Sequence, residues 1–270
     1  MPDTCSPDTC WDYKERIHQY REDTYEKWGS TPREQIDTDL VDATIVPGSG
    51  QKSLIPTSYT TVSNGTGSVN FLFGINNGKN NSGLHSGEAV GAFYDTADWQ
   101  GFAYFGGNTT KTRGANTVLE GINNRKQIVG DNGTDGLYAA SISAPLQTLD
   151  YPGAQSTELI GINDAGWIIG NYSNDGVADH CILFKPDAKG GYTNSTPVPV
   201  NPPSETSTYC SGLNGLGQIL VYGANTGPFL DDAEGGDPNA PANFSPFPFY
   251  ALTGVAPYGI NNNGVMIVSV

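Results

Sequence analysis

A chain of 270 residues is long enough to bury a substantial core within one domain. It carries 28 acidic against 13 basic side chains, a formal charge of −15, and 35 glycines, while only 15% of its residues are charged. Without clusters of Lys and Arg it cannot displace counterions from phosphate backbones or grip an anionic bilayer. That excludes nucleic-acid and membrane-surface partners, and the apolar runs fall far short of the ~20 residues of a transmembrane helix.

The first element in chain order is a helix. Asp8 to Trp28 places Trp11, Ile17, Tyr20 and Trp28 roughly on one face, with Lys14, Arg16, Arg21 and Lys27 elsewhere, and Gly29, Ser30 and Pro32 end it. Residues 1–38 therefore read as an N-terminal helical segment or cap, and residues 39–270 as a separate repeat domain. Met1-Pro2-Asp3 has neither the basic segment nor the apolar stretch of a signal peptide. An exported chain has then lost its leader or is a piece of a longer secreted protein.

After residue 40 the pattern changes to short strands separated by Gly, Asn and Asp, and the chain becomes self-similar. Gly74-Ile75-Asn76-Asn77, Gly121-Ile122-Asn123-Asn124, Gly161-Ile162-Asn163-Asp164, Gly212-Leu213-Asn214-Gly215 and Gly259-Ile260-Asn261-Asn262 follow one another at intervals of 47, 40, 51 and 47 residues. Each copy continues into a second apolar run, as in Gln127-Ile128-Val129-Gly130 and Trp167-Ile168-Ile169-Gly170. A third, aromatic run follows, as in Gly101-Phe102-Ala103-Tyr104 and His180-Cys181-Ile182-Leu183-Phe184. A period of 40–50 residues with this composition is that of propeller blades. The expected fold is all-β: a propeller of about five four-stranded blades. In each blade a strand at the Leu149-Asp150-Tyr151 type of position precedes the Gly-Ile-Asn strand. Asp42-Ala43-Thr44-Ile45-Val46 reads as a strand able to complete the last blade, which stops at Val270; truncation of a longer array is the competing explanation.

The repeat has a physical rationale. Asn-Asn-x-Gly between two apolar runs is a hairpin turn whose last position needs a left-handed backbone, which glycine adopts freely. The Asn side chain bonds the turn's own backbone, the Ile fills the core, and the preceding Gly lets strands approach closely. Lys126 stands where the other turns carry glycine, and a left-handed lysine costs on the order of 1 kcal/mol, so that turn is expected to take another form.

Four cysteines allow three pairings: Cys5 and Cys10 are close enough in sequence to close a small loop, and Cys181 with Cys210 would link neighbouring strands. Disulfides imply an oxidising, exported location.

These motifs resemble the extracellular HAF-type repeat of bacterial secreted and surface proteins. That repeat runs approximately Gly-Ile-Asn-(Asn/Asp)-x-Gly-x-Ile-Val-Gly-x-Tyr and then His-(Ala/Gly)-Phe-Leu. The third copy follows it in order through Tyr151-Pro152-Gly153-Ala154, Gly161-Ile162-Asn163-Asp164, Ile168-Ile169-Gly170-Asn171-Tyr172 and His180-Cys181-Ile182-Leu183-Phe184. The likeness spans roughly residues 60–270 and leaves the N-terminal helix unexplained. It departs in keeping the histidine only at His180 and in placing Cys181 where a small residue belongs. The resemblance implies an extracellular, propeller-like protein and supplies no catalytic residues.

The chemistry-bearing residues are sparse. His18, His85 and His180 sit in unrelated contexts, and the chain has no His-Glu-x-x-His, Cys-x-x-Cys pair or phosphate loop. Ser86 lies one position late for a nucleophile elbow. Trp99, Tyr138, Trp167, Tyr172 and His180 are the candidate ligand-binding side chains, because aromatic faces beside Asn and Asp suit sugar rings. Asp231, Asp232, Glu234 and Asp237 form the densest acidic cluster and the candidate metal site; calcium is the one cofactor they suggest. The expected function is a non-catalytic secreted or cell-surface binding or scaffold module, a monomer with a glycan or protein ligand. A propeller glycoside hydrolase using an axial carboxylate pair is the alternative.

Overall fold

The computed structural model describes residues 70–76, 87–95, 98–105, 108–111, 116–225, 227–232, 244–246, 256–264 and 266–269. The chain divides into two units, Met1–Thr60 and Thr61–Val270, and every described residue belongs to the second. The expected helix at 8–28, the strand at 42–46 and the pair Cys5 and Cys10 lie outside the described residues.

Among the described residues the fold is all-β and antiparallel. The first sheet holds β1 (Asn70–Ile75), β2 (Ala89–Asp95), β3 (Asp98–Phe105) and β4 (Asn108–Lys111) in that order. The second holds β5 (Val118–Ile122), β6 (Ile128–Asp131), β7 (Gly136–Ala139) and β8 (Gln147–Thr148). The third holds β9 (Ser156–Ile162), β10 (Ile168–Ser173), β11 (Asp179–Phe184) and β12 (Val198–Pro199). The fourth holds β13 (Thr208–Leu213), β14 (Gln218–Gly223), β15 (Gly227–Asp232) and β16 (Phe244–Pro246). Among the described residues the fifth holds β17 (Ala256–Ile260) and β18 (Met266–Ser269). Among the described residues no helix is long and apolar enough to cross a membrane.

Each sheet is a meander of consecutive strands, and this corrects the expected order within a repeat. Leu149 donates its N–H to Gly136 O at 2.8 Å, so the chain at 147–149 finishes the second sheet instead of starting the third. A strand that follows another through a short turn finds its nearest unpaired edge there.

All five sheets share one irregularity. The pairing of first and second strand slips by a residue at Phe73, Glu120, Ile160, Ser211 and Tyr258, a β-bulge in the same place each time. The bulge drives a first-strand carbonyl into the second strand. A Cβ at Gly91 would lie 1.8 Å from Phe71 O, and one at Gly130 would lie 2.0 Å from Val118 O, so the first two sheets require glycine there, whereas the fourth accommodates the buried Val221 at the same register position. The first-strand glycines serve close approach as expected: a Cβ at Gly74 would meet Glu120 O at 2.8 Å and Gly121 Cα at 3.1 Å in the next sheet.

The core lies between sheets. Val90 and Ala103 of the first sheet pack with Leu119, Ile122, Ile128 and Ala139 of the second. Val129 and Tyr138 of the second pack with Leu159, Ile168 and Ile182 of the third. Ile169 and Leu183 of the third pack with Cys210, Ile219 and Phe229 of the fourth. A single sheet could not cover both its faces, so the repeats stabilise one another.

Candidate functional site

The second turn keeps the same form as the third, fourth and fifth. Lys126 sits at φ +66°, beside +83° for Gly166 and Gly217 and +73° for Gly264. Its ammonium lies 2.6 Å from Glu88 Oε1 of the first sheet, and Glu88 is buried where Gln127 and Gln218 stand at the corresponding place in other repeats. The lysine's backbone strain is thus coupled to an ion pair between sheets, which overturns the expectation of a different turn.

The motif asparagines do more than brace their own turns. Asn123 Oδ1 accepts from the N–H of Arg125 and Gln127, each at 3.0 Å, and Asn214 Oδ1 accepts likewise from Leu216 and Gln218. The amide nitrogen reaches the next repeat. Asn76 Nδ2 donates to Asn123 O at 3.0 Å, Asn123 to Asn163 O at 2.9 Å, Asn163 to Asn214 O at 3.1 Å, and Asn214 to Asn261 O at 3.2 Å. One side chain serves as acceptor within its turn and donor to its neighbour, a combination an amide supplies and an ionised carboxylate, which only accepts, does not. A second contact runs outside the first. Asn124 donates from its backbone and side-chain nitrogens to Asp164 at 2.8 and 2.6 Å, and Gly215 N donates to Asn262 Oδ1 at 2.6 Å.

Residues of the motif from all five repeats line one open cavity of about 450 Å³. Its apolar lining is Ile75, Ile122, Ile162, Leu213 and Ile260; its polar lining is Asn76, Asn123, Asn163, Asn214 and Asn261 with Asn124, Asp164, Gly215, Asn262 and Asn263. The expectation that every motif Ile fills the core holds for Ile122, which is buried, whereas Ile75 is exposed. Among the described lining residues Asp164 is the one charged side chain. The described lining offers branched aliphatic surface and neutral amides, with no cation among the described residues to attract an anion.

The candidate aromatic residues do not converge. Trp99 packs on Phe71 and Tyr94 in the first sheet, with centroids 5.6 and 5.5 Å away. Tyr138 is buried in the core between the second and third sheets, its hydroxyl accepting from Gln127 Nε2 at 2.9 Å. Tyr172 is also buried and stacks on Tyr151 at 3.8 Å, with His180 5.1 Å from it. Burial and the neighbouring Tyr151 push the Tyr172 phenol up to about 12. Trp167 lies under the Lys185 ammonium, 3.8 Å from the ring centroid. Burial pulls the Lys185 ammonium down from its usual value, and the nearby Asp231 charge partly offsets that. None of the five lines the bowl.

The candidate metal residues divide. Asp231 is fully buried on β15, Asp232 next to it is exposed, and Glu234 and Asp237 lie outside the described residues. Successive residues of a strand face opposite ways, so Asp231 and Asp232 do not present a common face. A different acidic group was not legible in the sequence: Glu120, Asp131 and Glu158, from the second and third sheets, bring carboxylate oxygens within 4.8 Å of one another. Asp131 also accepts from Gly133 N at 2.7 Å. In exposed turns, backbone N–H donors hold the Asp175 carboxyl below its ordinary value.

Cys181 and Cys210 are disulfide-bonded, with Cα atoms 4.9 Å apart, and the bond ties β11 to β13 across the third junction. Compared with protein-family models and with curated protein sequences, the chain matches none.

Proposed function

We propose that the five sheets are blades of a β-propeller, that the bowl is one axial mouth, and that the protein is a non-catalytic extracellular binding or scaffold module. The single observation that carries this reading is the cavity lined by motif residues from all five repeats, with each of the first four joined to its successor through an asparagine amide. The Cys181–Cys210 bond fits an oxidising location, in keeping with the HAF-type resemblance of the motifs. The branched aliphatic and amide groups of the described lining favour a neutral sugar or polypeptide segment with an apolar face. Its volume lies within the range of small-ligand sites, roughly 300–1,000 Å³. Calcium at the Asp231 end of β15 remains part of the reading. A hydrolase needs two acidic groups at the substrate, and the bowl offers Asp164.

The test is to incubate the intact chain with soluble and insoluble polysaccharides, scoring retention and newly released reducing ends, with calcium and with EDTA. Retention without release is expected, and Asn263→Trp abolishes it by filling the mouth while leaving the four amide links intact. Release of reducing ends would overturn the non-catalytic reading and direct attention to Glu120, Asp131 and Glu158. Retention unchanged by Asn263→Trp would remove the bowl as the site. Loss in EDTA would assign calcium a role.

A further inference from the structure

The tightest aromatic pair among the described residues joins a turn to a strand of the third sheet. Tyr151 and Tyr172 lie with ring centroids 3.8 Å apart and planes 13° from parallel, closer than the roughly 4.5–7 Å of most aromatic pairs. Local contacts hold Tyr151 in place. Its N–H donates to Thr157 Oγ1 at 3.1 Å, and Thr157 is the register partner of Tyr172 on β9. Its carbonyl accepts from Ala154 N at 3.1 Å across a turn whose third residue, Gly153, takes φ +82°. The two phenol hydroxyls are hydrogen-bonded to each other, so both lie at the same end of the stack. The ring carbons ortho to the two oxygens therefore face one another. Tyr172 is 7% exposed, whereas Tyr151 is partly open to solvent.

A second close pair provides the contrast. Tyr138 and Tyr192 have centroids 4.8 Å apart, but their planes meet at 70° and both rings are buried. Each of their hydroxyls is bonded elsewhere, that of Tyr138 to Gln127 Nε2 and that of Tyr192 to the carbonyl of Gly166.

We propose that Tyr151 and Tyr172 form an oxidative cross-linking site, at which a haem peroxidase acting with hydrogen peroxide joins the two rings by a carbon–carbon bond, as dityrosine. Each phenol gives up one electron and one proton. The paired radicals couple at their facing ortho carbons, and the hydrogens on those carbons shift to the oxygens, restoring both phenols. Hydrogen peroxide takes up the two electrons and two protons and becomes two waters. Tyr151 is the point of entry because its ring reaches solvent. The shared hydrogen bond carries the buried Tyr172 proton towards Tyr151 and water. Holding both rings in register makes the coupling unimolecular, so it outruns radical encounters between separate chains. The new bond fastens the 149–155 connection to β10, close to the Cys181–Cys210 bond, because Asn171 and Tyr172 pair with Cys181 and His180. The site lies within the third repeat and depends on neither the bowl nor its ligand.

The test treats the intact, disulfide-bonded protein at high dilution with a haem peroxidase and hydrogen peroxide, following dityrosine fluorescence and the mass of the monomer. Cleavage at carboxylates separates Tyr151 from Tyr172 at Glu158 and Asp164, so a cross-linked peptide pair locates the bond. A monomer lighter by two hydrogen masses is expected, with the bond between Tyr151 and Tyr172. Tyr151→Phe and Tyr172→Phe each abolish that bond, whereas Tyr138→Phe leaves it unchanged. Phenylalanine keeps the ring, so these variants should fold, and a far-UV spectrum checks this. A monomer that forms no dityrosine overturns the proposal, as does dityrosine found only between chains or only at other tyrosines. Coupling of Tyr138 to Tyr192 as readily as of Tyr151 to Tyr172 also overturns it, since stacking and the shared hydrogen bond would then select nothing.

Discussion

The second and third junctions solve one packing problem in two ways. Between the second and third sheets, Gly136 leaves room for Leu159, and a leucine side chain fills the gap. Between the third and fourth, Cys181 stands in the register position of Gly136 and Cys210 in that of Leu159, and a covalent bond replaces the apolar contact. A small residue facing a large one and two medium residues joined together occupy the same slot. The repeat thus constrains the volume between sheets more tightly than the identity of what fills it. The first junction adds a third variation, in which Lys126 and Glu88 replace the glycine and glutamine found in other repeats with an ion pair.

The largest effect should come from cutting the covalent junction. Cys181→Ala with Cys210→Ala removes a cross-link spanning 29 residues and should cost about 3–4 kcal/mol, read by urea denaturation under conditions where the wild-type bond stays oxidised. Cys181→Gly with Cys210→Leu rebuilds the neighbouring junction's solution and should recover about 2 kcal/mol of that loss. A swap no better than the double alanine would break the equivalence of the two junctions.

Next in size is the amide link across the same junction. Asn163→Ala strands Trp167 N and Asn214 O and should cost about 2–3 kcal/mol. Asn163→Asp keeps an acceptor for Trp167 N but loses the donor to Asn214 O, so it separates the turn from the link. A loss of about 1–2 kcal/mol is expected, and an aspartate variant as stable as wild type would show that the turn alone matters.

At the first junction, Lys126→Gly relieves a left-handed lysine worth about 1 kcal/mol but leaves the buried Glu88 without its cation. The single variant should be less stable by about 1–2 kcal/mol, whereas Lys126→Gly with Glu88→Gln restores the other repeats' arrangement and should at least match wild type.

The smallest change is spectroscopic. Tyr172 should ionise near 12, visible as a late step in an ultraviolet titration that Tyr172→Phe removes. Because its pKa is raised on folding, stability from this group is fully present below the unfolded value of about 10 and is lost as pH rises through 10 towards 12. Should cutting the disulfide loosen the third sheet, the step moves down towards 10.

Much of this molecule was legible from residue order alone, and the limits of that legibility are physical. Turns and strands are local: Asn163-Asp164-Ala165-Gly166 sets a left-handed glycine beside a bracing asparagine within four residues, and the alternation around it sets the strands. Recurrence then implied stacked all-β units, because one such unit cannot cover both faces. The aromatic candidates misled because an aromatic ring suits a sugar platform and a sheet core equally well, and Tyr138 and Tyr172 are in the core. Which sheet the chain at 147–149 joins, the slipped pairing at Glu120, the partner of Cys181 among the open alternatives, and the bowl all depend on contacts between residues far apart in the chain. The asparagine amide had the right donor in every repeat. Only the approach of one glycine-lined first strand to the next decided that the donor would span two sheets instead of facing water.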